Sequence, residues 1–329
     1  MPLQTLQATR LDWPMDWPRR FGREASMLLE IGFGGGHFLL DLAAQRLDAN
    51  IMGIEVSLPA IRRAEQKLKT AVFHHVQLIQ GSAHTVLWTG CAPAIFDEVY
   101  VNFPDPWPKH PQRRVINDTF LHLLASRMGE NGRLAIATDH ADYAEWITDC
   151  LERTPYFTSR LPTSFVTEDN ERLRTKYEQF AIADGRTCHY YHWQRNKTAV
   201  ANPFHPPKER PMPHTILRTP LTLSEISGRF NKPYASEGGY TVRLIEIFQS
   251  PHYPALLIDT YISEPALNQH VALSIHQRDD GTMIVGLREI GFPRPTNGVH
   301  FAIHAVTQWL LGLHSDTVLV KSNLNFDDT

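Results

Sequence analysis

Along the first part of the chain, short apolar runs alternate with segments in which apolar residues recur every three or four positions. A continuous apolar run is typical of a strand buried on both faces, and the longer period is typical of an amphipathic helix. The runs predict strands over residues 27–31, 51–55, 76–79, 97–103 and 133–138. Their alternation with helices predicts a doubly wound, mostly parallel α/β sheet with helices on both faces.

The segments between these strands predict helices over residues 37–46, 57–70, 117–128 and 142–151. Asp142 is expected to cap the last of them. Two further segments, 177–183 and 188–194, flank the pair Asp184-Gly185. Asp-Gly is typical of a tight turn between antiparallel strands, so we expect a hairpin that completes a seven-stranded, Rossmann-like sheet.

Prolines suggest where the chain divides. Their density over residues 201–214 predicts a linker that separates a domain of residues 26–200 from one of residues 215–329. We expect the second domain to be a smaller α+β domain, because alternating segments are followed by one helical segment: 240–248, 255–262, 270–277, 282–290 and then 299–313. Residues 1–25 are polar and punctuated by prolines, and we interpret them as an irregular N-terminal arm.

Composition narrows the class of protein. The hydrophobic fraction of 42% and the charged fraction of 20% are those of a soluble globular protein, and no apolar run has the length of a membrane span. The three cysteines are far apart, which favours a reducing cytoplasm without disulfides. A net charge of −3 gives no overall attraction for nucleic acid. A polyanion would therefore need local basic clusters, and the best two lie at residues 109–114 and 172–176.

The first strand ends in a glycine turn that suits a nucleoside ligand. The turn consists of a carboxylate and three alternating glycines: Glu30, Gly32, Gly34 and Gly36. A dinucleotide site needs its third glycine where this chain has His37, whereas the S-adenosylmethionine pattern Glu-x-Gly-x-Gly-x-Gly fits without a gap. Glu55 closes the next strand and is suited to binding both hydroxyls of a ribose. We therefore favour a methyl donor over a dinucleotide, with a ligand-free structural turn as the third alternative.

A stiff loop follows the fourth strand. Pro104, Pro106 and Pro108 exclude both a central strand and a helix interior, and they enclose Asp105 and Trp107. Doubly wound sheets place their chemistry at the carboxyl ends of the strands. The loop is therefore the expected position of the reacting groups.

With these motifs, residues 26 to about 195 resemble the bacterial tRNA (guanine-N7)-methyltransferases, the TrmB family. The resemblance depends on the sequences LEIGFGGGHFL, GIE and NFPDPWPK, the last followed by Arg113-Arg114. Thr138-Asp139 at the end of the fifth strand and the stretch from Thr175 to Glu178 also match. The segment after residue 200 has no counterpart in the minimal family.

The resemblance implies methyl transfer from S-adenosylmethionine to N7 of a guanine in tRNA, in the variable loop. It implies Asp105 as the catalytic carboxylate. The expected donor-binding residues are Glu30, Gly32, Gly34, Gly36, Glu55, Ser82, Ala83 and Asn102. Ser82 stands where the family usually has Asp or Asn, and its hydroxyl can also form a hydrogen bond. The expected substrate-binding residues are Lys109, Arg113, Arg114, Asp139, Thr175, Tyr177 and Glu178.

The chemistry requires few side chains. Guanine N7 already has a free lone pair, so catalysis consists of holding it in line with the methyl group and excluding water. The product base is cationic, and a nearby carboxylate stabilises that charge as it develops. Asp105 and Asp139 are expected at the ends of neighbouring strands, where they can serve this purpose.

Two other functions remain open: a methyltransferase on the same fold that acts on another substrate, and a non-catalytic RNA-binding module. His300 and His304 have the four-residue spacing of metal ligands, but nothing else clusters with them. His189 and His192 lie with Cys188 on a predicted strand, where we expect no metal either. We expect no metal, no membrane association and a monomer or homodimer that acts on tRNA in the cytoplasm.

Overall fold

The computed structural model of the chain describes residues 4–71, 73–201, 204, 211–265, 267–290 and 293–325. The chain divides into two units, Met1–Pro206 and Pro207–Thr329, each with its own set of internal contacts. Most of the linker predicted at residues 201–214 lies outside the described residues.

The first unit is built on an eight-stranded sheet. Its strands are β1 (Leu6–Gln7), β2 (Met27–Ile31), β3 (Asn50–Glu55), β4 (Val76–Gln80), β5 (Phe96–Asn102), β6 (Met128–Thr138), β7 (Phe157–Ser159) and β8 (His189–Arg195). Their order across the sheet is β1-β4-β3-β2-β5-β6-β8-β7, and only β8 runs antiparallel to its neighbours. The predicted doubly wound, mostly parallel fold is confirmed.

Helices cover both faces of this sheet. They are α1 (Trp17–Phe21), α2 (His37–Gln45), α3 (Leu58–Ala71), α4 (Ala83–Gly90), α5 (Asp118–Arg127), α6 (Ala141–Arg153) and α7 (Lys176–Ala183). One apolar cluster joins the buried residues of α2 and α3 to the sheet. A larger cluster joins those of α4, α5 and α6 to the opposite face. Asp142 lies within α6, whose N-cap is His140, because the helix begins one residue earlier than expected.

The N-terminal arm departs from the expected irregular segment and supplies the eighth strand. Strand β1 pairs with Ile79 and Gln80, and α1 follows it. Trp17 is fully buried, and its indole N–H donates a hydrogen bond of 2.9 Å to the carbonyl of Gly90. The large apolar surface that this tryptophan buries anchors the arm to the domain.

The predicted hairpin is wrong in its first half, because residues 177–183 belong to helix α7. A capping box starts this helix: the Thr175 hydroxyl accepts from the Glu178 N–H at 2.9 Å, and the Glu178 carboxylate accepts from the Thr175 N–H at 3.2 Å. Gly185 has a φ of +75° and follows the end of the helix. The Asp-Gly pair therefore ends a helix here, and β8 pairs instead with β6 and β7.

The second unit is an antiparallel sheet with two helices, as the α+β prediction stated. Its strands are β9 (His214–Arg218), β10 (Tyr234–Glu237), β11 (Tyr240–Gln249), β12 (Ala255–Glu264), β13 (Leu267–Gln277), β14 (Met283–Arg288) and β15 (Val318–Ser322), in the order β10-β11-β12-β13-β14-β9-β15. Helices α8 (Leu223–Gly228) and α9 (Asn297–Leu313) share one apolar cluster with the sheet. None of the described helices has the length and hydropathy needed to cross a lipid bilayer.

Candidate active site

The glycine turn between β2 and α2 has a backbone that favours glycine. Gly32, Gly34 and Gly36 have φ angles of +74°, +52° and +74°. A Cβ atom on Gly36 would lie 2.7 Å from the Cβ of Ala64, so this position is closed by helix α3. At Gly32 and Gly34 a Cβ atom would meet nothing within 4 Å. The turn therefore presents bare backbone to open space, as a nucleoside site requires.

Glu30 lies at the end of β2 beside this turn and is buried. Its Oε1 accepts a hydrogen bond of 3.3 Å from the side-chain amide of Asn102, at the end of β5. Its Oε2 is buried without a hydrogen-bond partner among the described residues. Burial, which disfavours the ionised form, raises the pKa of Glu30 to about 8. The single hydrogen bond from Asn102 lowers the pKa but does not offset the burial, so the ionised carboxyl is not fully stabilised by the described residues.

Asn102 connects Glu30 to a second buried carboxylate. The Asn102 carbonyl accepts 2.7 Å from Nη2 of Arg172, whose Nη1 lies 3.4 Å from Oε2 of Glu178. Glu178 is fully buried and also accepts 2.9 Å from the hydroxyl of Tyr190. Arg172 was expected in a phosphate-binding cluster. Its hydrogen bond with Asn102 and its ion pair with Glu178 instead indicate a structural link between the glycine turn and helix α7.

Glu55 ends β3 next to the same turn. Its Oε2 accepts 2.9 Å from the Gly34 N–H, and its Oε1 accepts from the N–H groups of Val56 and Ser57 at 2.8 and 2.9 Å. A carboxylate offers about four acceptor positions. Three of them are therefore used by the backbone, and Oε2 has one position left.

Ser82 and Ala83 mark the start of α4. Ser82 is the N-cap residue, but its side chain forms no capping hydrogen bond. Its hydroxyl has no hydrogen bond with the described part of the chain, so it can bind another group. Ala83 is the first residue of the helix and is buried.

The proline-rich loop holds Asp105 in an exposed position. Phe103 and Trp107, on either side of it, have φ angles of +50° and +41°, which are unusual for residues with side chains. Among the described residues, the Asp105 carboxylate has no hydrogen bond and no ion pair. A stiff loop with an uncommitted carboxylate is suited to meeting a substrate.

Arg114 holds the proline-rich loop in place from a buried position. It is buried, its Nε donates 2.7 Å to the carbonyl of Pro106, and its guanidinium lies 4.9 and 5.1 Å from the ring centroids of Tyr143 and Trp146. We had expected Arg114 to contact a phosphate. Its burial between two rings indicates that it fixes the loop instead.

Lys109 and Arg113 are exposed on the same loop and keep the expected access to a polyanion. The guanidinium of Arg113 lies 5.0 Å from the ring centroid of Trp107, which orients it.

A third group of side chains lies at the end of β6. Asp139 accepts hydrogen bonds from Nη1 of Arg186 and, at 3.3 Å, from the hydroxyl of Tyr177. The Tyr177 ring lies 5.2 Å from that of Phe103, at the end of β5. Asp139 and Tyr177, both predicted substrate-binding residues, therefore lie together beside the proline-rich loop. Thr175 differs, since it is buried and its hydroxyl caps α7.

The sequence did not reveal three residues that form the hydrogen bonds and ion pairs of this site: Arg172, Arg186 and Tyr190. Arg186 follows the Asp-Gly pair and Tyr190 lies on β8, in a segment interpreted as an edge hairpin. Only the capping-box pattern Thr-x-x-Glu at residues 175–178 was a local signal that a helix would start here.

The geometry agrees with comparisons with known proteins. A family model described as "Putative methyltransferase" matches residues 24–190, just over half of the chain. The tRNA (guanine-N(7)-)-methyltransferase of Deinococcus radiodurans is 30% identical over 292 residues, which cover 87% of this chain and 89% of that protein. The chain belongs to the tRNA (guanine-N7)-methyltransferase family. In Thermus thermophilus, the family member of the same name is 29% identical over 304 residues, or 91% of this chain and 93% of the relative.

These family members also account for the second unit. An alignment over 304 residues extends far beyond the first unit, which ends at residue 206. The C-terminal unit therefore also aligns with part of the sequence of these relatives. A shorter match is the family member of Xanthomonas axonopodis pv. citri, 40% identical over 168 residues, or 50% of this chain and 64% of that protein.

Proposed function

We propose that this protein transfers the methyl group of S-adenosylmethionine to N7 of a guanine in tRNA. The observation that carries the proposal is the pairing of two features at the carboxyl ends of adjacent strands. Strand β2 ends in the open glycine turn, and β5 leads into the loop that holds Asp105. The names of the two relatives give the base, the atom and the kind of RNA. A tRNA substrate places the activity in the cytoplasm.

The residues present fit the donor. Oε2 of Glu30 is a buried acceptor without a partner in the described part of the chain, and the space above Gly32 and Gly34 is open. Glu30 would bind the donor's cationic part, Glu55 its ribose and Ser82 its adenine. When bound, S-adenosylmethionine supplies a methyl group activated by a sulfonium.

The hydrogen bonds of the Glu55 carboxylate must rearrange before it can bind both hydroxyls of a ribose. Two hydroxyls need two acceptor positions, and the backbone leaves one of about four. At least one backbone hydrogen bond of Glu55 would therefore yield to the ligand. The bond from Gly34 is the natural candidate, because Gly34 belongs to the turn itself.

The protein's contribution to the reaction is position and charge. Guanine N7 has its lone pair available, so no general base is required, and a fixed reacting geometry lowers the barrier. The positive charge that develops on the base is stabilised by the Asp105 carboxylate, which the prolines and Arg114 hold in place. Because the carboxylate is held before the substrate arrives, little reorganisation accompanies the reaction.

The exposed cations Lys109 and Arg113 would take phosphates of the tRNA. Binding through them makes the affinity fall as salt increases. A base stacked in the tRNA must turn out of its stack to reach Asp105. The exposed ring of Tyr177, held at Asp139 and Phe103, is placed to receive it.

The test is methyl incorporation into an unmodified tRNA transcript by the wild-type chain and Asp105→Asn, followed by digestion to nucleosides. We expect 7-methylguanosine from the wild type. Loss of one stabilising group of this kind lowers the rate about 100- to 1,000-fold, with donor binding unchanged. The matched control is Asp142→Asn, an exposed residue in the first turn of α6.

Three results would contradict the proposal in different ways. Full activity of Asp105→Asn would refute the role of that carboxylate. Donor binding without methylation of tRNA would indicate a methyltransferase with another substrate. Absence of donor binding in an equilibrium titration of the folded protein would indicate a non-catalytic RNA-binding module.

A further inference from the structure

The second unit has a sheet with one open face. Both of its helices pack with the same set of inward-facing side chains, among them Val242, Leu244 and Ile262. Residues that alternate with these project from the other side and are exposed or half-buried, such as Arg243 and Tyr261. Within this unit, no described helix covers that outer face.

Four side chains form one row across this outer face. The strand register pairs Tyr234 with Arg243, Arg243 with Tyr261, and Tyr261 with His270. Directly paired residues project from the same face of a sheet. With strands about 4.8 Å apart, the row spans about 14 Å over four strands. Along the row, the side chains are a phenol ring, a guanidinium, a second phenol ring and an imidazole.

The row is solvent-accessible and has an excess of positive charge. The exposed fraction of Tyr234 is 62%, and Arg243 and His270 are also exposed. Arg243 has no hydrogen bond or ion pair with any described residue. The neighbouring row on this face consists of Glu246, Asp259, Ala272 and Arg288, and Arg288 likewise has no hydrogen bond or ion pair with the described residues.

The carboxylates of that neighbouring row are already engaged. Asp259 is hydrogen-bonded to His270, and Glu246 lies 3.6 Å from Nζ of Lys232. The residues after position 200 carry 10 basic and 12 acidic side chains, so these unpaired arginines distinguish the face from the rest of the unit.

We propose that this face, defined by Tyr234, Arg243, Tyr261 and His270, binds unpaired nucleotides of the substrate tRNA. Open antiparallel sheets with exposed aromatic side chains stack two or three unpaired bases in this way, and arginine adds stacking and phosphate contacts. The bases of a duplex do not expose their faces, so single-stranded segments are the matching ligand. The inference rests on the proposed tRNA methyltransferase function and extends it to the second unit.

A second copy of the chain fits this face less well. Stable interfaces between copies have an apolar centre depleted of charged residues. Here the charged Arg243 is one of the two inner members of the row and lies between two tyrosines.

The experiment measures binding of an unmodified tRNA transcript by the full-length chain, using fluorescence anisotropy at several salt concentrations. The variants are Tyr234→Ala and Arg243→Ala. The controls are Tyr253→Ala, 71% exposed between β11 and β12, and Arg278→Ala, exposed between β13 and β14. We expect each row variant to raise the Kd for tRNA at least about fivefold, the low end of the value of one stacked base. Arg243→Ala should also lower the salt slope by about one.

Methylation by the same proteins separates this inference from the proposed function. At saturating tRNA, the row variants should keep the wild-type kcat, because the row lies in a different unit from Asp105. Wild-type Kd values in the row variants, or equal losses in the controls, would overturn the inference. So would a dimeric wild type that the row variants convert to monomers, since the face would then bind a second copy. If the wild type binds tRNA but does not methylate it, the proposed function fails, and the row is still judged by its Kd values.

Discussion

The raised pKa of Glu30 predicts that donor binding is linked to proton release. With a pKa of about 8, roughly one Glu30 in ten is ionised at pH 7 in the ligand-free protein. A cationic donor stabilises the ionised form, so binding at pH 7 should release about 0.9 proton from this carboxyl. The free energy needed to ionise it at pH 7 is about 1.4 kcal/mol, which weakens the affinity about tenfold relative to a carboxyl that is already ionised. Donor affinity should therefore rise as pH increases from 6 and level off near 8.

The assay is isothermal titration calorimetry of the donor in buffers of different ionisation enthalpy, which counts the protons released. Glu30→Gln is the matched control, because the amide keeps the shape and cannot titrate. The donor's own amine also titrates near pH 8, and its contribution remains in the variant. The difference between the two proteins therefore belongs to Glu30.

The reasoning has a second consequence for the ligand-free protein. Glu30 has a higher pKa when folded than its ordinary value of 4.5, so the folded state binds more protons between pH 4.5 and about 8. Stability should therefore fall as pH rises through this range, and Glu30→Gln should lose that part of the decline. Equal proton release by wild type and variant, or an affinity difference that does not change with pH, would refute the assignment.

Three further predictions concern stability. Gly36→Ala should lower stability by about 1–3 kcal/mol, because its Cβ would lie 2.7 Å from that of Ala64 at a φ of +74°. Gly32→Ala has the same strained φ of +74° but meets no atom within 4 Å, so it should lower stability less; thermal unfolding with and without donor separates this loss from weaker donor binding. Thr175→Ala removes the N-cap of α7 and should cost about 1 kcal/mol, with faster amide exchange confined to that helix. Trp17→Ala should lower stability by about 3–5 kcal/mol in denaturant unfolding, since this side chain is fully buried; a loss below 1 kcal/mol would show that the arm is dispensable.

The central strands of the first unit could be predicted because their side chains are buried on both faces. Residues 27–31 are an example: all five residues of β2 are buried, so its apolar character is continuous in the sequence. The edge of the sheet was harder. Strand β1 is two residues long, and its pairing with β4 leaves no periodic pattern to recognise.

Helix α7 shows how one local signal can be outweighed by another. The Asp184-Gly185 pair favoured a hairpin, whereas Thr175 and Glu178 form a capping box that starts a helix. Glycine with a positive φ occurs in hairpin turns and also at helix ends. The capping box distinguishes them because it satisfies two backbone groups that only a helix leaves unpaired.

The meeting of Glu30, Glu55 and Asn102 at one edge of the sheet could be predicted, and the link from Asn102 to Arg172 could not. Glu30, Glu55 and Asn102 end strands β2, β3 and β5, and parallel strands bring their carboxyl ends to one edge of the sheet. Arg172 lies 70 residues after Asn102 in a segment without periodicity. Its position among other basic residues gave no indication that its side chain would be only 11% exposed.

The position of Asn102 explains why Glu30 still lacks an ionic partner. Arg172 lies one side chain further along, and its charge only weakly opposes the raised pKa of Glu30. A direct ion pair between the two would favour the carboxylate, but a cationic donor would then compete with an arginine for it. Asn102 donates to Glu30 and accepts from Arg172, so it connects the two groups while keeping their charges apart. Arg172 forms an ion pair with Glu178 and a hydrogen bond with Asn102, so Oε2 of Glu30 keeps no hydrogen-bond partner among the described residues. Under the proposed function, this is the carboxyl oxygen that a cationic donor would meet.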